Sequence, residues 1–156
     1  MIYQIETTQQ LNCDIQTAWD FFSSPHNLAK ITPKKMNFVI VNQLADKPIH
    51  QGLIIDYKVT PLLGIRMKWR TKITQVEDYA SFTDEQLNGP YTLWRHFHEF
   101  TPNEEGVMMR DVVTYKLPLG YLGRIAHKLM IRNKLVDIFA YRYEVLEKMF
   151  NTKNQS

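Results

Sequence analysis

Between residues 36 and 117 apolar side chains recur at every second position, in runs of eight to eleven residues parted by a few turn formers. A period of two is that of strands with one dry face, and connections this short join antiparallel neighbours. The clearest run is 65–73, where Ile65, Met67, Trp69, Thr71 and Ile73 alternate strictly with Arg66, Lys68, Arg70 and Lys72. Comparable runs occupy 36–44, 53–60, 81–88, 91–100 and 107–117, and residues 2–11 add a seventh, with Tyr3 and Ile5 opposed to Gln4 and Glu6. The pattern predicts a seven-stranded antiparallel meander.

Helical signals stand on either side of the meander. Asp14 offers an N-cap to a segment in which Ile15, Ala18, Trp19 and Phe22 fall at helical spacing. Ser24 and Pro25 open a second short turn carrying Leu28 and Ile31, which Thr32-Pro33 ends. Residues 121–150 have no Pro, and no Gly after Gly123; Leu122, Ile125, Leu129, Arg132, Val136, Phe139, Tyr143, Leu146 and Phe150 follow one another by steps of three and four. That is a long amphipathic helix, and one sheet is available to receive its stripe. The expected architecture is α+β: a curved sheet around a long C-terminal helix, with two short helices after the first strand.

The chain of 156 residues is read as one domain over 1–150, with 151–156 a disordered tail. A content of 44% hydrophobic and 22% charged residues excludes a disordered chain. The net charge of +3 is dispersed, which argues against a nucleic-acid partner. Cys13 is the only cysteine, so no internal disulfide or Cys-based zinc finger can form. The opening MIYQIETTQQ has neither a basic nor an apolar leader segment, and no run approaches the length of a membrane span. These features predict a cytoplasmic protein without stable membrane insertion. No nucleophile elbow, phosphate loop or dinucleotide fingerprint occurs, so no cofactor is expected.

Three segments carry a family resemblance: WDFFSSPHNLAKITP at 19–33, FTDEQLNGPYTLWRHFHEF at 82–100 and MRDVVTYKLPLGYLG at 109–123. In them the chain resembles the START-like (SRPBCC) superfamily, in its bacterial branch of ligand-binding and cell-division-inhibitor-like proteins, related to polyketide cyclases and lipid transport domains. The resemblance implies a helix-grip fold with a hydrophobic cavity between sheet and long helix. It implies no reaction, because the superfamily holds both enzymes and binders.

On the run 91–100, Thr92, Trp94, His96, His98 and Phe100 share one face and Leu93, Arg95, Phe97 and Glu99 the other. Periodicity leaves the inner face open; the resemblance implies that Trp94 and the histidines point inward. The next strand then turns Met109, Asp111, Val113 and Tyr115 inward. Asp111 beside His96 or His98 would orient an imidazole and raise its basicity, or would serve only to satisfy buried polar groups. Two histidines at i and i+2 are also half of a metal site, but with no Cys or third His beside them no metal is expected. The resemblance further implies that Asp84 and Gln86 join this polar cluster. Tyr57 and Trp69 complete the wall, and Arg132, the one charge in the helix stripe, either snorkels or meets an anionic head group.

Alternate connections of a meander fall at the same end of the sheet. One end therefore gathers Leu62, Leu63, Pro90 and Leu119, and the other Asp46, Lys47, Glu77, Asp78, Glu104 and Glu105. The apolar end is the expected cavity mouth. The function expected is binding or carriage of a small hydrophobic molecule such as a lipid, isoprenoid or polyketide-like compound. Two alternatives stand: a cyclase, hydrolase or dehydratase using a His-Asp pair, and a regulatory module for an undetermined protein partner.

Overall fold

The predicted alternation is realised as pleated strands in a computed structural model that describes residues 1–45, 47–62 and 64–152. Among the described residues the strands are β1 (Tyr3–Leu11), β2 (Val39–Ile40), β3 (Ile54–Leu62), β4 (Ile65–Glu77), β5 (Ser81–Asn88), β6 (Leu93–Asn103) and β7 (Gly106–Lys116). They form one antiparallel sheet in the order β1-β7-β6-β5-β4-β3-β2. Register shifts after Val59 in β3, and at Arg70 and Ile73 in β4, bend the sheet so that it curls around its inner face. Trp69, Thr71 and Ile73 are buried on that face, while Arg66, Lys68, Arg70 and Lys72 are exposed on the other. Arg70 forks onto Asp56 across the outer face at 2.7 and 2.9 Å, a solvated cross-strand pair.

One expected strand is much shorter than its pattern. Within 36–44 backbone pairing with β3 is short: Val39 and Ile40 lie opposite Lys58 and Tyr57 and the Val41 amide donates to the Asp56 carbonyl at 2.8 Å, while ahead of them Lys34–Met36 forms a 3₁₀ turn and Asn37 follows it in the left-handed region at φ 48°. Further along, the Asn42 side chain bonds to the β3 backbone: Asn42 Nδ2 donates to the Ile54 carbonyl at 3.0 Å, and the Asp56 amide donates to Asn42 Oδ1 at 2.8 Å.

The first helix, α1 (Ile15–Phe22), begins as predicted, with the Thr17 amide donating to Asp14 Oδ1 at 2.7 Å. It buries Ala18, Trp19 and Phe22, and the Trp19 ring meets Phe82 and Phe100 edge-on at centroid distances of 6.1 and 6.0 Å. Pro25–Ile31 is a 3₁₀ helix.

The C-terminal helix runs as α2 (Gly120–Ala126), a π-helical turn (His127–Ile131), α3 (Arg132–Leu146) and a second π-helical turn (Glu147–Asn151). Phe139 and Leu146 face the core as predicted. Ahead of Phe139 the expected stripe is wrong: Leu122, Ile125, Leu129 and Val136 are 66, 41, 73 and 45% exposed. The buried positions are instead Gly123, His127, Ile131 and Leu135, spaced by four. A π turn bonds i to i+5 and takes up an extra residue, so the turn at His127–Ile131 moves Leu122, Ile125 and Leu129 off the stripe counted back from Phe139; Val136 lies after it, and there α3 buries Leu135 instead. Arg132 is exposed, and after Phe139 the inward place expected for Tyr143 is taken by Arg142.

The helix also reaches one residue into the expected tail. The Asn12 amide donates to Asn151 Oδ1 at 2.9 Å, and Asn151 Nδ2 donates to the Gln10 carbonyl at 2.7 Å, tying the helix end to β1. Residues 153–156 lie outside the described residues. Among the described residues no helix is long and apolar enough to cross a membrane.

Candidate functional site

Strand register brings the polar residues together. Asp84 of β5 lies directly opposite His96 of β6, and His98 lies directly opposite Asp111 of β7. All four point to the inner face, so the diagonal contacts close a compact group. Asp84 Oδ2 is 3.1 Å from His98 Nε2 and 3.9 Å from His96 Nδ1. Asp111 Oδ1 is 2.7 Å from His98 Nδ1 and 3.4 Å from His96 Nε2. By angle the Asp84–His98 contact is a hydrogen bond, whereas the contacts to Asp111 are charge contacts. The His98 ring is held between Phe82, stacked at 4.1 Å, and His96 at 3.8 Å.

Across from the sheet, and lining the same cavity as the histidines, stands a residue that the sequence reading missed. Arg142 of α3 places Nη2 3.0 Å from Asp111 Oδ2, with both side chains nearly or wholly removed from solvent. Its guanidinium also lies 5.5 Å from the Phe22 ring centroid. The signal was present, since Phe139, Arg142 and Leu146 follow each other by three and four as regularly as Phe139, Tyr143 and Leu146 do. Preference for an apolar residue selected Tyr143.

The charges set the protonation of the group. Burial alone would raise the Asp111 carboxyl, but Arg142 and His98 together hold it well below the usual carboxylate range. Burial, and then the neighbouring His98, hold His96 below its ordinary value. Burial pushes His98 down too, yet the Asp111 and Asp84 carboxylates outweigh it and hold His98 above its ordinary value. The two imidazoles are thus shifted in opposite directions, His96 down and His98 up.

Asp84, His96 and His98 form the polar end of a cavity of about 180 Å³ between the sheet and the C-terminal helix. Tyr57, Val59, Trp69 and Trp94 supply wall from the sheet, and Leu135, Ile138 and Phe139 from the helix. Trp69 Nε1 is a buried donor without a partner among the described residues, and so is Arg142 Nε. Partly exposed lining residues lie on the segment after α1 and on α3, among them Asn27, Leu28, Thr32, Phe38 and Ile138, and on the sheet, at Tyr57, Asp84 and Trp94.

Of the residues expected at the site, Tyr57, Trp69, Asp84, Trp94, His96 and His98 line the cavity, and Asp111 lies behind the histidines. Gln86 does not reach it, because its side chain clasps the Tyr91 backbone, donating to the carbonyl at 2.7 Å and accepting from the amide at 3.3 Å. Tyr115 is turned to another partner: its hydroxyl is 2.8 Å from His127 Nε2. His127, which looks like a surface residue in the sequence, is buried and stacked on Tyr3 at 3.5 Å. Arg132 is exposed on α3 and does not line the cavity. Of the expected mouth, Pro90 and Leu119 do not line the cavity, and Leu119 is 75% exposed on a left-handed turn at φ 64° before α2. Leu62 belongs to β3, and Leu63 lies outside the described residues.

By sequence, the chain matches no family model and no curated protein. By structure it has many neighbours. It is similar to protein CV1439 from Chromobacterium violaceum, at 10% identity, a TM-score of 0.70 and coverage of 96% of this chain and 99% of that one. It is similar to protein Ms6760 from Mycobacterium smegmatis at 14% identity, a TM-score of 0.68 and coverage of 98% and 93%. Major latex-like protein 151 from Panax ginseng matches at 12% identity with a TM-score of 0.68, over 97% of this chain and 99% of that chain. The fold is the helix-grip fold: a curved seven-stranded antiparallel sheet closed by a long C-terminal helix. At these identities the likeness carries the fold alone.

Proposed function

We propose that the chain binds or carries a small hydrophobic molecule, of lipid, isoprenoid or polyketide-like character, in the cavity between sheet and helix. The observation that carries this reading is the composition of the wall: aromatic and aliphatic side chains over most of it, with a polar end at Asp84, His96 and His98. Small-molecule sites are built this way, with apolar surface for affinity and a few convergent polar groups for orientation. The unpartnered Trp69 Nε1 inside an apolar wall adds a donor that a ligand oxygen would satisfy. Kinship with the START-like (SRPBCC) superfamily, suggested by the sequence, supports the same reading. The volume of about 180 Å³ suits a compact ligand or one arm of a larger one.

The test uses native mass spectrometry of the protein purified from its own host, together with titration by the apolar dye anilinonaphthalene sulfonate. A co-purified lipophilic mass, or saturable binding of one dye per chain, is expected. Ile138→Trp, at a partly exposed lining position, should occupy the cavity and weaken dye binding at least tenfold while leaving the melting temperature nearly unchanged. Undiminished dye binding by a folded Ile138→Trp protein, or a wild-type chain that takes up neither dye nor lipid, overturns the reading.

The enzymatic alternative has one observation in its favour: His98, a cavity-lining residue, sits between two carboxylates, with Asp111 Oδ1 2.7 Å from Nδ1 and Asp84 Oδ2 3.1 Å from Nε2. An imidazole oriented by carboxylates can exchange a proton with a bound ligand. It predicts that turnover of a cavity ligand falls about a hundredfold or more in His98→Phe with binding retained. A carrier loses affinity instead.

A further inference from the structure

We propose that Asp84, His96 and His98 form a binding site for a divalent first-row transition ion, with an open coordination position facing the apolar cavity. The sequence reading set a metal aside for want of a third ligand beside the two histidines. The structure supplies one. Asp84, opposite His96 in the sheet, brings its carboxylate to both rings, and one donor atom from each of the three side chains lies within 4.8 Å of the others.

The distances suit coordination. An ion held by nitrogen and oxygen at about 2.0–2.2 Å separates its donors by roughly 3–3.5 Å. The gap from Asp84 Oδ2 to His98 Nε2 is 3.1 Å, and that to His96 Nδ1 is 3.9 Å. The third separation, between the two imidazole nitrogens, is within 4.8 Å, so the rings close on an ion by shifts of up to about an ångström.

The surroundings are those of a metal-binding histidine pair. Coordination through His98 Nε2 and His96 Nδ1 uses opposite nitrogens of the two rings, and in each ring the remaining nitrogen faces the same oxygen, Asp111 Oδ1, at 2.7 and 3.4 Å. A carboxylate behind a ligating imidazole fixes its orientation and raises its basicity toward the metal. Arg142 Nη2, at 3.0 Å, holds Asp111 in place from the far side. With neutral imidazoles the two carboxylates and one guanidinium leave one negative charge in a buried group, which a divalent ion more than compensates. Phe82 and Phe139 pack on the rings and restrict their motion.

Two imidazoles and one carboxylate select ions such as Zn²⁺, Fe²⁺ or Co²⁺ over the oxygen-seeking Mg²⁺ and Ca²⁺. Three protein ligands leave at least one position for water or a ligand oxygen, and all three residues line the cavity. This inference does not rest on the hydrophobic-ligand reading, which the dye titration tests separately in the presence of a chelator.

The experiment strips the full chain with chelator, then adds Zn²⁺ or Co²⁺. Elemental analysis after desalting should give one ion per chain, with a Kd of micromolar or below by competition against a chromophoric chelator. Co²⁺ should develop visible absorption bands characteristic of low coordination number. A hundredfold excess of Zn²⁺ over Kd should raise the melting temperature by about 5–10 °C. Asp84→Asn and His96→Gln should each weaken binding at least tenfold, with melting in chelator confirming that the variants fold. His26→Gln and His50→Gln, at exposed positions, should leave affinity unchanged. Weak binding above about 100 µM by the wild type, full affinity in Asp84→Asn, or affinity that disappears with His26 or His50 refutes the site.

Discussion

Arg142→Met tests the tertiary arrangement most directly, because it removes the buried guanidinium that faces Asp111. The wild-type contact is 3.0 Å between side chains exposed by 8 and 0%. Removing one member of such a pair strands the other charge, which costs about 3–5 kcal/mol, whereas replacing both by apolar or neutral groups is often nearly neutral. Here the two members are not equivalent. Asp111 keeps His98 Nδ1 at 2.7 Å when Arg142 is lost. Among the described residues Arg142 has no other carboxylate partner when Asp111 is lost, and its guanidinium keeps the Phe22 ring at 5.5 Å. Arg142→Met should therefore cost about 3 kcal/mol and Asp111→Asn about 4–5 kcal/mol. For a chain of this size each kcal/mol moves the melting temperature by about 2–4 °C, so the respective drops are about 6–12 and 8–20 °C. The double variant should melt above Asp111→Asn alone, and chemical denaturation of all four proteins completes the cycle. Additive losses, or an Arg142→Met protein melting within about 1 °C of wild type, would refute the claim that the pair is buried and coupled.

Leu135, 3% exposed, and Val136, 45% exposed, test the face of the helix: Leu135→Asp should cost several kcal/mol and abolish cooperative melting near the wild-type temperature, while Val136→Asp should stay within about 0.5 kcal/mol. The reverse order would restore the simple α-helical stripe. Tyr115→Phe should destabilise by about 1–3 kcal/mol, since it leaves buried His127 Nε2 without the hydroxyl 2.8 Å away. His127 also has a pH signature. Burial, then the Arg132 charge, hold its pKa below the ordinary 6.5, so the unfolded chain binds the proton first and acidification through that value weakens the fold. The stability advantage of wild type over His127→Gln should narrow as pH falls from about 7.5 to about 5.5. A constant gap would show that His127 titrates alike in both states.

Strand assignment was legible because it needs only a local rule. Alternation at Ile65, Met67, Trp69, Thr71 and Ile73 marks a dry face wherever the strand sits, and the short connections leave only antiparallel neighbours. The cap at Asp14 was legible for the same reason, since its partner is three residues away. The strand at 36–44 was misread where local side-chain chemistry competes with pairing, through the left-handed Asn37 and the Asn42 side chain bonded to the β3 backbone.

The polar cluster divides along the same line. That His96 and His98 share a face, and that Asp111 faces them, follows from period two and one hairpin. That Asp84 meets both rings and Arg142 closes the group from the helix depends on the register of β5 and on the helix packed across the sheet. The helix face could not be read locally. A π turn shifts the phase of the residues before it relative to those after it, which a constant α period cannot anticipate. Here the inward place goes to His127, stacked on Tyr3 and bonded to Tyr115, and so Leu122, Ile125 and Leu129 turn outward. Periodicity along the chain determined which residues share a face; packing between sheet and helix decided which face is inside, and thereby which charges are buried together.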